Sequence, residues 1–157
     1  MDECQYSRGL GIAISGIKPA TAGSKKFVGV GRNGKGIIID TCKSGKSWRR
    51  ILQKEAKLCM QEEGNHSLFS GPINLEIIFT VPRPKKHFNK KGLKQNAPLM
   101  PTTRPDLTKL VRAVEDALTN VVWGDDRQIC SCKHRKEYAE LTTNQYLTRI
   151  FVGKMFL

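Results

Sequence analysis

Negative charge is scarce in this sequence. It carries 14 Asp and Glu against 27 Lys and Arg, a formal net charge of +13 at pH 7. No acid stands between Glu76 and Asp106, and Asp40 is the only one between Glu3 and Glu55. So lopsided a balance points to a polyanionic partner, of which nucleic acid is the commonest. Long apolar runs are also missing: stretches such as INLEIIF fall far short of the roughly 20 residues that a membrane span requires. The N-terminus lacks the charged-then-apolar design of a leader, so no membrane partner is expected and the chain reads as soluble and cytoplasmic. A complete P-loop is absent as well. Gly45-Lys46-Ser47 has the form of its end, but Asp40 occupies the position that needs glycine, so no nucleotide cofactor is expected.

The five cysteines, at 4, 42, 59, 130 and 132, are odd in number and lack the spacing of a disulfide framework, which fits reduced thiols. Cys130, Cys132 and His134 alternate and would share one face of a strand. Successive same-face residues are spread by roughly 6 to 7 Å, poor geometry for one tetrahedral zinc.

The length and the 39% hydrophobic content suit a single domain over residues 1–157 with a real core. GLGIAISG reads as a first strand bounded by glycines, and FVGVGRNGKGIIID as a β-hairpin. Asn33-Gly34 suits a type I′ turn, with Arg32 and Lys35 at the tip. SWRRILQKEAKLCMQEE reads as a helix capped by Ser44 or Ser47, with Trp48, Ile51, Leu52, Ala56 and Cys59 as its apolar stripe. Arg49, Arg50, Lys54 and Lys57 lie mostly off that stripe, where they are solvated or hold a nucleic-acid backbone. PINLEIIFTVP is a strand entered and left through prolines. The Lys-rich, proline-punctuated stretch at about 82–103 reads as a long mobile basic loop, and QICSCKHRKEYAE and NQYLTRIFV as two closing strands. The expected fold class is therefore α+β, with a mixed sheet, a β-hairpin and two main helices.

Against this basic background, five of the 14 acids fall within RPDLTKLVRAVEDALTNVVWGDD, residues 104–126. Leu107, Leu110, Val111, Val114, Leu118 and Val121 recur at helical spacing. Pro105 suits the first helical turn and Asp106 the positive end of the helix dipole. Asp116 lies about 15 Å along the helix from Asp106, too far to share an ion, and is read with Glu115 as structural. Asp125 and Asp126 follow a Trp-Gly turn. The chain from Thr119 reaches at most roughly 25 Å against about 20 Å of helix to retrace, so meeting Asp106 within one subunit is tight. A shorter helix, or a site assembled across a dimer, relaxes it. Carboxylates gathered in a basic groove suit Mg²⁺ held against a phosphodiester, and Arg112 is placed to offset charge building on phosphorus.

These residues carry a resemblance. PDLTKLVRAVEDAL followed by WGDDRQI, within residues 104–129, is similar to the RusA family of Holliday junction resolvases, common in phages and prophages. The resemblance implies a Mg²⁺-dependent endonuclease, with Mn²⁺ as a substitute, that acts as a homodimer and makes paired nicks in four-way DNA junctions. Asp106 matches the first essential aspartate and Asp126 the later one, with Asp125 beside it; Arg112 stands where the family has its catalytic lysine. Thr108 replaces the second aspartate of the Asp-x-Asp pair. The expected sites are Asp106, Asp126, Asp125 and Arg112 for catalysis, and Asp106 and Asp126 for the metal. Arg32, Lys35, Lys85, Lys86, Lys90, Lys91 and Lys94 are expected to contact nucleic acid. A junction binder that has lost catalysis and a general basic nucleic-acid binder are the alternatives.

Overall fold

A computed structural model describes residues 9–22, 25–40 and 44–155. Its centre is a four-stranded mixed sheet with the order β1-β8-β4-β7, made of β1 (Leu10–Ser15), β4 (Ile73–Val81), β7 (Ile129–Tyr138) and β8 (Leu147–Lys154). β8 runs antiparallel to both β1 and β4, whereas β7 lies parallel to β4 at the edge. A parallel neighbour cannot be reached by a tight turn. The long segment between β4 and β7 makes that crossover, and it contains both the basic stretch and the second helix.

Two helices, α1 (Gly45–Glu62) and α2 (Leu107–Leu118), cover one face of the sheet. Trp48, Leu52, Ala56 and Met60 of α1 meet Leu110, Val111, Val114, Ala117 and Leu118 of α2 over Leu10, Ile12, Leu75, Ile77 and Ile150 of the strands. Ile51 and Cys59 of the expected stripe pack only at its margin, and Met60 takes the inner place. Each fully buried Leu or Ile side chain here contributes about 1.5–3 kcal/mol. The strand alternation that exposes every second residue of β1 follows from the period of two. Gly9 leads into β1 because any Cβ there would stand 2.2 Å from the Val152 carbonyl oxygen. The opposite face of the sheet carries ion pairs, Arg135 with Glu76 and Glu137, and Arg149 with Glu137.

The hairpin is present, as β2 (Lys25–Val30) and β3 (Gly36–Asp40), but its turn differs from the expectation. Only Gly34 has positive φ, at 74°; the Gly34 N–H donates to the Gly31 carbonyl, and Asn33 uses its side-chain oxygen to accept from the Lys35 N–H. This is a type I turn followed by a left-handed glycine. The ends of α2 also differ. Pro105 lies outside the helix, with Asp106 at its N-cap. The helix stops at Leu118 rather than Val121 because Asn120 turns left-handed (φ 63°), a conformation that asparagine tolerates.

The stretch at 82–103 holds a 3-10 turn (Lys85–His87) and a two-residue-arm hairpin, β5 (Phe88–Asn89) with β6 (Gly92–Leu93). Arg83 donates to the Pro98 carbonyl at 2.9 Å and stacks its guanidinium 4.2 Å from the centre of the Tyr138 ring. Lys136 donates to the carbonyls of Thr103 (2.7 Å) and Pro105 (2.9 Å). The expected long loop is therefore fastened at several points. No helix among the described residues is long and apolar enough to cross a membrane.

Candidate metal and nucleic-acid site

Asp106 stands at the N-cap of α2 with an extended backbone. It does not cap the helix through its side chain; instead it forms an ion pair with Lys109 Nζ at 3.2 Å, one turn on, with both side chains 53% exposed. The pair opens onto a cleft of about 520 Å³ that is also lined by Lys18, Thr21 and Arg104. Lys18 arrives through the segment after β1, which is tied to α2 by the Ala22 N–H donating to the Lys109 carbonyl. Three cations around one exposed carboxylate at the positive end of a helix make a site for an anionic group with a charge to balance.

Thr108 and Arg112 are both exposed on α2. Arg112 lies six residues from Asp106, about 9 Å along the axis. Its charge acts on Glu115, whose carboxyl is pushed up by burial and by the negative charges of Asp126 and Asp116, with Arg112 pulling it back. The cation in contact with Asp106 is thus Lys109, which the sequence reading did not single out.

Asp126 belongs to the other end of the helix. It begins a 3-10 turn (Asp126–Gln128) and its Oδ1 accepts from the indole N–H of fully buried Trp123 at 3.1 Å and from the Thr119 hydroxyl. Thr119 directly follows the last residue of α2, so the chain has not run back toward Asp106. The 12-residue helix separates the two acids by about 18 Å at 1.5 Å per residue. The charge of Asp126 acts on Glu115, whose carboxyl burial and this charge together push up. Among the described residues of one chain, no three His, Cys, Asp or Glu side chains converge on a point that would hold a metal ion. Cys132 and His134 approach at 3.6 Å but gain no third partner of that kind. Burial raises the Cys132 thiol, with Glu115 adding to the effect.

Asp125 has a local task. Its carboxylate accepts from the Arg127 N–H and pairs with the Arg127 side chain. Gln128 completes the turn: its Oε1 accepts from the Gly124 and Asp125 N–H groups, and its Nε2 donates to the Phe69 and Gly71 carbonyls. The Gln of WGDDRQ therefore bolts the turn that carries Asp126 to the approach to β4. Of the basic residues on α1, Arg49 caps α2 by donating to the Asp116 carbonyl, and Gln53 donates to Ala117. This satisfies two of the carbonyls that every helix leaves open at its C-terminus. Arg32, Lys35, Lys85, Lys86, Lys90 and Lys91 are exposed and Lys94 is half-buried.

A mixed sheet covered on one face by two helices, with an N-cap aspartate in a basic cleft and a second aspartate on a Trp-anchored turn, defines an α+β protein of RusA-like architecture. The sequence matches the family described as Endodeoxyribonuclease RusA over residues 17–145, and the chain belongs to that family. One relative is the uncharacterized protein YqaN of Bacillus subtilis (strain 168), 31% identical over 112 residues that cover 69% of this chain and 75% of YqaN. Membership points to a nuclease role.

Proposed function

We propose that the chain is a divalent-metal-dependent endonuclease for branched DNA, four-way junctions above all, and that it works as a homodimer whose sites each join Asp106 of one subunit to Asp126 of the partner subunit. The observation that carries this reading is the exposed Asp106 carboxylate in a cleft lined by Lys18, Arg104 and Lys109. A phosphodiester brings the negative charge those cations lack, and the carboxylate supplies a hard oxygen ligand for Mg²⁺ or Mn²⁺ beside it. Asp126 supports the reading in a second way. Two donors fix its Oδ1, and outer hydrogen bonds of this kind orient a metal-binding carboxylate. Two α2 helices packed antiparallel across a perpendicular twofold axis would bring the start of each beside the end of the other.

Asp106 and Asp126 of the partner subunit would hold the metal, which would supply charge neutralisation and a more acidic attacking water. The chain's own groups do the rest. Lys18, Arg104 and Lys109 hold the scissile phosphate in line, and Arg112 offsets the charge that builds on it. Asp125 acts through the turn that positions its neighbour Asp126. Arg32, Lys35, Lys85, Lys86, Lys90, Lys91 and Lys94 contact flanking phosphates, which gives affinity that weakens steeply with salt. Two sites related by the twofold serve opposing strands and give paired nicks.

A second reading draws on Thr108, a neutral, exposed residue where the family motif has an acid: a junction binder with weakened catalysis. The test is nicking of a synthetic four-way junction with and without Mg²⁺, by wild type, Asp106→Asn, Asp126→Asn and Thr108→Asp. Metal-dependent paired nicks lost in both Asn variants support the nuclease. Tight binding without nicks at any metal concentration, with nicks appearing in Thr108→Asp, supports the second reading.

A further inference from the structure

Leu99 is the most exposed of the large apolar side chains described, at 86%, and Met100 beside it is 51% exposed. Water is an unfavourable place for two adjacent large apolar groups. At roughly 25 cal/mol per Å² of apolar surface their exposure is a standing cost, unless something covers them. They are also firmly presented. Pro98 and Pro101 flank them and restrict the backbone on both sides. The Pro98 carbonyl is gripped by Arg83, itself stacked on Tyr138, and Pro101 is buried. Behind them, the Lys136 ammonium holds the carbonyls of Thr103 and Pro105. Seven residues of chain bound the distance from Leu99 to Asp106 at roughly 25 Å.

Charge selects the occupant. No acid lies between Glu76 and Asp106, and that span holds Arg83, Lys85, Lys86, Lys90, Lys91, Lys94 and Arg104. A symmetric contact through this stretch would set its seven cations against the same seven of a second copy. A nucleic acid brings phosphates for the lysines and base faces for the apolar pair. Leucine, methionine and proline side chains are the kind that enter between base steps and unstack them.

We infer that Leu99 and Met100 form an apolar wedge that enters the base stack of bound DNA beside the Asp106 cleft, while the surrounding lysines hold the backbone. This rests on the DNA-binding reading proposed above and adds the element that opens the duplex. A branch point, where stacking is already interrupted, is the cheapest place for such an insertion.

The experiment uses the full chain with a four-way junction and a matched linear duplex, each carrying 2-aminopurine at the branch or its equivalent, in chelator so that no strand is cut. Anisotropy reads binding and 2-aminopurine fluorescence reads unstacking. Wild type is expected to raise the junction signal at least about twofold. Leu99→Ser/Met100→Ser is expected to lose that rise while its affinity falls less than about tenfold, because phosphate contacts carry most of the affinity. Both residues are exposed, so the variant keeps its fold, checked by its melting temperature. An unchanged fluorescence rise in a variant that still binds overturns the wedge alone. Failure of wild type to bind either DNA overturns the wedge together with the DNA-binding reading. A variant that sediments as a monomer where wild type is a dimer makes the pair a subunit contact and also overturns the wedge.

Discussion

Asp106 begins α2 and Asp126 is held by Thr119 just past its last residue, so a 12-residue helix stands between the two carboxylates. About 18 Å of helix cannot be spanned by one cation within a subunit. The proposed site therefore needs two chains, and that requirement can be tested directly.

Asp106→Asn and Asp126→Asn are each expected to be inactive as homodimers, and mixing them is expected to restore nicking. In a mixed dimer one site receives both mutations and the other receives neither. Random subunit exchange makes roughly half of the dimers mixed, so nicked but not fully resolved junctions appear. A junction-nicking gel on the mixture reads the result. A mixture as dead as its parents would mean that both acids act within the same chain.

Lys109→Ala is expected to lower the nicking rate by roughly 10- to 100-fold, since it removes the cation that touches Asp106. Stability should change by no more than about 1 kcal/mol, because the ion pair is exposed. Lys109→Arg keeps the charge and should recover part of the rate. Single-turnover nicking together with urea denaturation separates the two effects.

Gln128→Ala removes four hydrogen bonds from the turn after Trp123. The expected cost is about 2–3 kcal/mol of stability. Nicking should fall as well, since Asp126 loses its support. Asp125→Asn should disturb the turn far less, because an amide oxygen can still accept from the Arg127 N–H. Chemical denaturation of the two variants ranks them.

Glu115 makes stability depend on pH in a stated direction. Its carboxyl is pushed up by burial and by Asp126 and Asp116, so the folded chain holds the proton more tightly than the unfolded one. The penalty is absent at low pH, where the group is protonated in both states, and grows as the pH rises through the raised value. In metal-free buffer, Glu115→Gln is therefore expected to melt above wild type at pH 7. The gap should close as the pH falls into the carboxylate range. A melting series in chelator checks it; a gap that is independent of pH would show that Glu115 acts by packing instead.

Much of this was visible in the sequence where a local rule governs. The prolines around INLEIIF mark β4, the apolar spacing marks α2, and Gly34 marks the hairpin turn. Boundaries failed where one side chain decides between conformations. Asn33 spends its side chain on the Lys35 N–H, and Asn120 turns left-handed to end α2 early. The parallel placement of β7 against β4 left no mark in its mixed, edge-strand composition. The motif drew attention to Asp106 and Asp126, and the length of the helix left their meeting within one subunit tight; the turn at Asp126 stays at the far end of α2. Lys109 was within reach as the cation at i+3 from Asp106. Lys18, Arg49 and Lys136 were not, because they act on the cleft or on main-chain carbonyls far away in sequence.

The bonds from Lys136 to the Thr103 and Pro105 carbonyls, with Arg83 on Pro98, close the basic crossover at its base. A change in the length or tip of the stretch between these anchors is expected to leave the strand register and the start of α2 in place. On the proposed reading, exchanging it would redirect which DNA structure is engaged without displacing Asp106 from the start of α2.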